Sequence, residues 1–506
     1  MMKLNSSSKD TEFHDILKKN VSVFSHLVSA SQNYLTAFSK YSNDFMIPYL
    51  IATSYFNDVE KQKLWSTSPL ENVQSYMELL AFNLELVSRS VSSSMKAITH
   101  SGKMEMENAI AAVFNTLFCS EGEDVEGFLA RQAKMMDVMA NQYPQAIQDI
   151  EPEFGFHFER EDNKKIAETD RFILYQILPT DKKVKVNNSG KPIIILPPYV
   201  LGANILAFLP NEKRSYAHCF ANQGIPTYIR IFKDISTNEA VQVMTGEDDA
   251  LDTQLFCEKV KERHGKPVTL NGYCQGGFSA VCNLLSGELD DLVDALITCV
   301  SPMDGTRSKG LADFLKNLPQ RFNDLLYGTK TLPNGNQVAD GKLMGWIYKL
   351  KSIEDESPIA AFYRDLTMFG HQEGTNVKIS KTAAAINYWL NNERNDLPMA
   401  ITQMSFDSYN IPITKDGTLP VKLFGKKLNL KRLKEKRIQW LICYGENDDL
   451  VEKKTALAPI DYIDAEVTAF PKGHVAIATS WSHPNSACAL HTRFGNKNYR
   501  GPVRYQ

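Results

Sequence analysis

Over residues 1 to about 150, apolar positions recur on steps of three and four. Leu17, Val21, Phe24, Val28, Leu35 and Phe38 fall on one helical face, broken only by Ser31. Leu70, Val73, Met77, Leu80, Leu84, Val87 and Val91 repeat the spacing without a gap. Ser68-Pro69-Leu70-Glu71 supplies a start for that second stripe: Ser68 as N-cap, Pro69 at the first helical position and Glu71 closing a capping box. A third helical stretch is predicted over 103–146, interrupted near Ser120-Glu121-Gly122. Stripes of this kind are the ordinary seams of a helical bundle, and a bundle is the expectation for this domain. A face that docks on a partner, a second copy or a hydrophobic inclusion is the alternative.

From Glu151 to Lys165 the periodicity stops and charges crowd in, which places a domain boundary there. Short strand-like runs follow, Arg171-Phe172-Ile173-Leu174-Tyr175-Gln176-Ile177-Leu178 and Pro192-Ile193-Ile194-Ile195-Leu196. Helical and strand patterns then alternate: a helix over 213–223, a strand over 227–232, a helix over 248–263 and a strand from Pro267. This rhythm predicts a mostly parallel sheet covered by helices. A further strand, Ala295-Leu296-Ile297-Thr298-Cys299-Val300, ends at Ser301-Pro302-Met303-Asp304, after which the rhythm is lost. Residues 305–436, with helical patterns over 311–326, 344–350 and 383–390, are expected to form a mainly helical cap. The sheet resumes at Ile438-Gln439-Trp440-Leu441-Ile442-Cys443-Tyr444 and ends with Ala465-Glu466-Val467-Thr468-Ala469-Phe470. The expected parts are therefore a helical domain over 1–150, a first core segment over 166–304, the cap, and a second core segment over 437–506.

The strand from Pro267 carries the chemistry. Val268-Thr269-Leu270-Asn271 runs into Gly272-Tyr273-Cys274-Gln275-Gly276-Gly277 and then a helix-compatible stretch. A nucleophile on a tight strand-to-helix turn needs neighbours without Cβ atoms, and Gly272, Gly276 and Gly277 meet that need. The pattern Gly272-x-Cys274-x-Gly276 has the form of the α/β-hydrolase nucleophile elbow, with Cys where Ser is usual. In that fold an acid and a histidine follow the nucleophile in late loops. Asp448 lies just past one late strand, and His474 lies beside Gly473 past the next. Asp449 and Asp304 are alternative acids, and His483 and His491 are weaker candidates for the base. An oxyanion would need two donors: the backbone N–H of Gln275, and one from the loop after the Ile193 strand, at Tyr199 or Val200.

Composition excludes other classes. At 506 residues and 43% hydrophobic the chain has core enough for two or three domains, and its net charge of −3 supplies no basic field for nucleic acid. The eight cysteines, Cys119, Cys219, Cys257, Cys274, Cys282, Cys299, Cys443 and Cys488, show no C-x-x-C pair and no metal spacing, which is the usage of reduced thiols. No metal or resident cofactor is expected. The polar first residues lack a signal-peptide pattern, and the run Phe45 to Ala52 is too short to span a bilayer, so an intracellular, cytoplasmic protein without a transmembrane segment is expected. Lys422, Lys426, Lys427, Lys431, Arg432, Lys434, Lys436 and Arg437 form a basic run: a solvated face, or an attraction for phosphate groups such as those of coenzyme A or for an anionic surface.

The cysteine box Gly272-Tyr273-Cys274-Gln275-Gly276-Gly277 resembles the nucleophile box of poly(3-hydroxyalkanoate) synthases. Pro192-Ile193-Ile194-Ile195-Leu196-Pro197-Pro198 is similar to their first core strand and double-proline loop, and Gly445-Glu446-Asn447-Asp448 and Gly473-His474-Val475-Ala476 resemble their acid and histidine boxes. The similarity covers roughly residues 170–300 and 438–480. It implies an α/β-hydrolase core with a helical N-terminal domain and a cap, and an acyltransferase that loads hydroxyacyl groups from coenzyme A thioesters onto Cys274 and passes them to a growing polyester. His474 would be the base and Asp448 the acid. Association with polyester inclusion granules, self-association or a partner subunit would fit the same resemblance. The chain departs from the family at Asp449, where a histidine is usual, at Leu450-Val451-Glu452, which lacks a tryptophan, and at Ile477 to Ser482, which lacks an asparagine–proline pattern. A thioesterase or intracellular polyester depolymerase could use the same three residues, and a non-catalytic inclusion-associated scaffold could keep the fold.

Overall fold

A computed structural model describes residues 6–118, 121–160, 163–310, 314, 324–370 and 379–490, with side chains described from residue 18. The chain divides into two units. The first comprises residues 1–54, 63–150 and 346–387; the second comprises 55–62, 151–345 and 388–506. The stretch expected as one cap, 305–436, is thus split between them.

The first unit is helical. Helix α1 (Ser6–Lys63) and helix α2 (Pro69–Phe118) are long and continuous, followed by α3 (Val125–Asp137), a π-helical turn and α4 (Tyr143–Asp149). The capping box forms as the sequence predicts: Ser68 N donates to Glu71 and Glu71 N donates to the Ser68 hydroxyl. No break separates the second stripe from the start of the third stretch, because α2 runs on to Phe118. Residues from 346–370 pack here through aromatic contacts. Trp346 meets Phe45 and Tyr49 edge-on, and Phe362 meets Tyr34 and Tyr41 in the same way. Tyr41 donates to Asp365 at 2.6 Å, and Arg89 forms a forked pair with Glu354.

The bundle expectation for the stripes needs correction. Leu70, Val73, Met77, Leu80, Leu84, Val87 and Val91 are each at least 50% exposed, as are Val21, Phe24 and Leu35. The residues α2 buries are Ser75, Leu86, Ser94 and Ala112. α2 packs on the helix Pro358–Gly370 and on α3, and three of the four residues it buries have small side chains, which permit close approach of the backbones.

The second unit is built on an eight-stranded sheet in the order β1-β2-β4-β3-β5-β6-β12-β13. The strands are β1 (Asn163–Glu168), β2 (Phe172–Ile177), β3 (Ile193–Leu196), β4 (Thr227–Phe232), β5 (Val268–Tyr273), β6 (Val293–Cys299), β12 (Gln439–Gly445) and β13 (Glu466–Phe470). β2 is antiparallel to both neighbours, and every pairing from β4 to β13 is parallel. β3 and β5 are buried at every position, as central parallel strands covered on both faces must be. Helices α5 (Tyr216–Ala221), α6 (Gly246–His264) and α7 (Gln275–Ser286) make the crossovers. Strand β1 falls in the charged stretch read as a boundary; it is an edge strand, where alternating charge is tolerated.

The insertion between β6 and β12 is less helical than expected. Besides α8 (Gly341–Lys351), α9 (Pro358–Gly370), α10 (Lys381–Asn392) and α11 (Met399–Asn410), it holds a small antiparallel sheet of β7 (Thr329–Thr331), β8 (Gln337–Ala339) and β9 (Leu397–Pro398). It also holds the hairpin β10 (Thr418–Leu423) and β11 (Lys426–Asn429), followed by α12 (Lys431–Glu435). The helix expected over 311–326 lies largely outside the described residues. Much of the basic run sits on that hairpin and α12, where Arg432 and Lys436 both pair with Asp290. Among the described residues, no helix is long and apolar enough to cross a membrane.

Candidate active site

β5 ends at Tyr273, and the next residue, Cys274, is held at φ 52°, ψ −125° as the N-cap of α7. A side-chained residue in this region costs about 1–3 kcal/mol and persists only where the surroundings impose it. The surroundings here do so. Cys274 N donates to the Cys299 carbonyl at 2.8 Å on neighbouring β6, and Gly277 N closes the turn onto the Cys274 carbonyl at 2.9 Å. A Cβ on Gly272 would sit 2.6 Å from Gly277 N, one on Gly276 would sit 2.8 Å from the Leu196 carbonyl carbon, and one on Gly277 would sit 2.7 Å from Ser301 Cβ. The three glycines therefore lie where β5 and α7 touch each other, the end of β3 and the loop after β6.

Two later loops meet this turn. Asp448, just past β12, is buried, and its Oδ1 accepts from Leu450 N and Val451 N at 3.0 and 2.9 Å. Its Oδ2 takes His474 Nδ1, from the loop after β13, at 2.9 Å. Tyr273, immediately before Cys274, anchors that loop: its hydroxyl donates to the His474 carbonyl at 2.8 Å, and its ring meets the imidazole edge-on. With Nδ1 committed to Asp448, Nε2 is buried and makes no standard hydrogen bond. Burial alone would push the imidazole pKa down; the Asp448 carboxylate and the adjacent Cys274 sulfur outweigh it and raise the pKa well above its ordinary value. An imidazole so placed can exchange a proton with the sulfur while the carboxylate holds its orientation.

The remaining candidates lie elsewhere. Asp304 is buried after β6, but its carboxylate accepts from Thr306 and pairs with Arg307 at 3.0 Å. Asp449 is exposed, and His483 Nδ1 accepts from Asn485 N at 3.1 Å. His491 lies outside the described residues. Among the described residues no group of three or more His, Cys, Asp or Glu could hold a metal ion.

Gln275 is the first residue of α7, so its N–H has no acceptor within the helix. The close approach of Gly276 to Leu196 brings this helix end against the loop that carries Tyr199 and Val200. Sequence reasoning missed what holds that loop: a strap at 389–395. Trp389 Nε1 donates to the Leu201 carbonyl at 2.8 Å, Asn395 N to the Val200 carbonyl at 3.0 Å, and Asn395 Nδ2 to the Tyr199 carbonyl at 3.0 Å. In a trans peptide the N–H points opposite to the C=O, so the Asn395 side chain turns the Val200 N–H away from the strap. Gln275 was also missed as a side chain: its Nε2 donates to Ser405 on α11 at 2.7 Å. No local pattern signals these contacts, since their partners are more than a hundred residues apart.

A mostly parallel eight-stranded sheet with one inverted strand near its edge, a sulfur on a strained strand-to-helix turn and an acid and a histidine past the last two strands decide the architecture. It is the α/β-hydrolase fold. No family model and no curated protein matches the sequence. Solved structures of similar fold include a carboxylesterase of the thaumarchaeon Nitrososphaera gargenis, with 12% identity over 62% of this chain and 92% of that one and a TM-score of 0.34. A putative lipase from Acinetobacter baumannii has 11% identity over 67% and 91% of the two chains and a TM-score of 0.30. The thioesterase domain from the curacin biosynthetic pathway has 11% identity over 63% and 95% and a TM-score of 0.32. The assignment of this chain's fold rests on its own strand order and elbow, not on these overlaps.

Proposed function

We propose that this chain is an acyl-handling enzyme of the polyhydroxyalkanoate-synthase type, with Cys274 as nucleophile, His474 as base and Asp448 as its orienting acid. The observation that carries the reading is the cysteine at φ 52° beside a buried imidazole whose far nitrogen is held at 2.9 Å by Asp448. His474 takes the thiol proton, and the thiolate attacks the carbonyl of a hydroxyacyl-coenzyme A thioester. The tetrahedral oxyanion is met by the N–H groups of Gln275 and of Tyr199 or Val200. Its collapse breaks the bond to coenzyme A, whose sulfur leaves with the proton from His474, and the acyl group remains as a thioester on Cys274. A hydroxyl of the next acyl unit or of the growing polyester then gives its proton to His474 and takes the acyl group, freeing the cysteine. The exposed apolar stripes of α1 and α2 are where contact with an apolar polyester inclusion is proposed.

Purified protein incubated with labelled 3-hydroxybutyryl-coenzyme A tests this. Release of coenzyme A with label held on the protein and then in polymer, abolished in Cys274→Ala, is the expected result. Label appearing only as free hydroxy acid makes the enzyme a thioesterase or depolymerase on the same residues. An absence of coenzyme A release across acyl lengths would make the chain a non-catalytic scaffold and overturn the reading.

A further inference from the structure

Behind the elbow lies a second polar cluster that the reaction does not use directly. Arg230 on β4 and Asp249 on α6 are both buried and pair at 2.7 Å, with the guanidinium lying over the Phe172 ring at 4.1 Å. A buried ion pair contributes little net stability over an apolar substitute, so what it holds in place is the more informative property. The Tyr199 hydroxyl donates to Asp249 Oδ1 at 2.9 Å and accepts from Arg230 Nη2 at 2.8 Å. The other carboxylate oxygen, Oδ2, accepts from Asn283 Nδ2 at 2.7 Å, and the same Asn283 nitrogen reaches Thr253 at 3.1 Å.

Tyr199 stands at the head of the loop that supplies one oxyanion donor. Asn283 stands on α7, whose first residue, Gln275, supplies the other, about 12 Å back along the same rigid helix. One carboxylate, seated on a strand-backed arginine, therefore grips the loop with one oxygen and the elbow helix with the other. Donors in such a site act only when aimed at the position where charge develops, and misplacement by about 1 Å can cost on the order of 10²-fold in rate.

We propose that Asp249, paired with Arg230, is a positioning residue that sets the separation of the two oxyanion donors through Tyr199 and Asn283; this rests on the reading of Cys274 as the acyl-accepting nucleophile. Tyr199→Phe deletes only the hydroxyl and keeps the backbone N–H. In the 3-hydroxybutyryl-coenzyme A assay its kcat should fall about 10- to 100-fold with KM changed less than about threefold, the pattern of a lost transition-state contact. Alkylation of Cys274 by iodoacetamide, which forms no oxyanion, should stay within about twofold of wild type. Asn283→Ala should show the same split, and the double variant should lose less than the product of the single losses, because both act through one carboxylate. Ile297→Val, a core truncation on β6, should lower thermal stability without this kinetic split. If Tyr199→Phe does not fold, Asn283→Ala is read alone. A kcat near wild type in the folded variant, or alkylation falling in step with acyl transfer, overturns the assignment. A wild-type enzyme that is alkylated at Cys274 but turns over no thioester overturns the proposed function, and this inference with it.

Discussion

Replacing Glu393 by glutamine should remove a component of pH-dependent stability that the strap over the Tyr199 loop builds into the protein. Glu393 Oε1 accepts from Asn204, while Oε2 is buried without a partner against the Cα of Gly202, where a Cβ would lie 2.6 Å away. Burial pushes this carboxyl up to about 7 against the pull of Asn204 and Arg394, from an ordinary 4.5. The folded chain thus keeps a proton that the unfolded chain releases. The associated stability is fully present below pH 4.5 and is lost as pH rises through about 7. At about 1.4 kcal/mol per pH unit, the loss is about 3 kcal/mol, or a few to about ten degrees in melting temperature. Glutamine keeps an oxygen for Asn204 and stays neutral, so Glu393→Gln should equal wild type near pH 5 and exceed it at pH 8. The measurement is the difference between the two thermal-unfolding profiles across that range, which cancels every other titrating group. Parallel profiles would refute the reasoning and show that Oε2 is hydrated or paired in solution.

Three further outcomes follow from the same geometry. Asp448→Asn should lower kcat by about 10²–10⁴-fold with little change in KM, because the carboxylate orients and charges His474 rather than touching substrate; steady-state kinetics decides it. Gly276→Ala should abolish acyl transfer, since its Cβ would meet the backbone at Leu196 and Pro197 with no flexible atom to yield, and the soluble yield and circular dichroism of the variant would separate misfolding from a displaced elbow. Because Asp448 and Cys274 raise the imidazole pKa well above 6.5, the ring proton resonances of His474 should titrate well above those of an exposed histidine in NMR spectra of the isotope-labelled protein. Asp448→Asn should bring that titration down, and a wild-type His474 that titrates at or below pH 6.5 would contradict the hold of the carboxylate on the ring.

Much of the core was legible because its signals are local. The glycine spacing around Cys274 is forced by contacts within one strand-to-helix turn, and the central strands announce themselves as short, wholly apolar runs, since both of their faces are covered. The capping box at Ser68 needs only four residues to specify it. The stripes of α1 and α2 were equally plain as a helical period, yet a period says which positions share a face and not whether anything covers it. The insertion was least legible, because its short strands and the strap take their stability from partners far along the chain.

The sequence by itself determined a helical start, an alternating α/β core and a cysteine on a turn that only glycines permit, because each depends on residues within a few positions of one another. Only the tertiary structure decided that Asp448 rather than Asp304 reaches His474, that Asn395 and Trp389 hold the loop after β3, and that one carboxylate at Asp249 ties this loop to the elbow helix. Those pairings join groups from separate elements, and their choice rests on which buried polar atoms the packed sheet leaves within reach of one another.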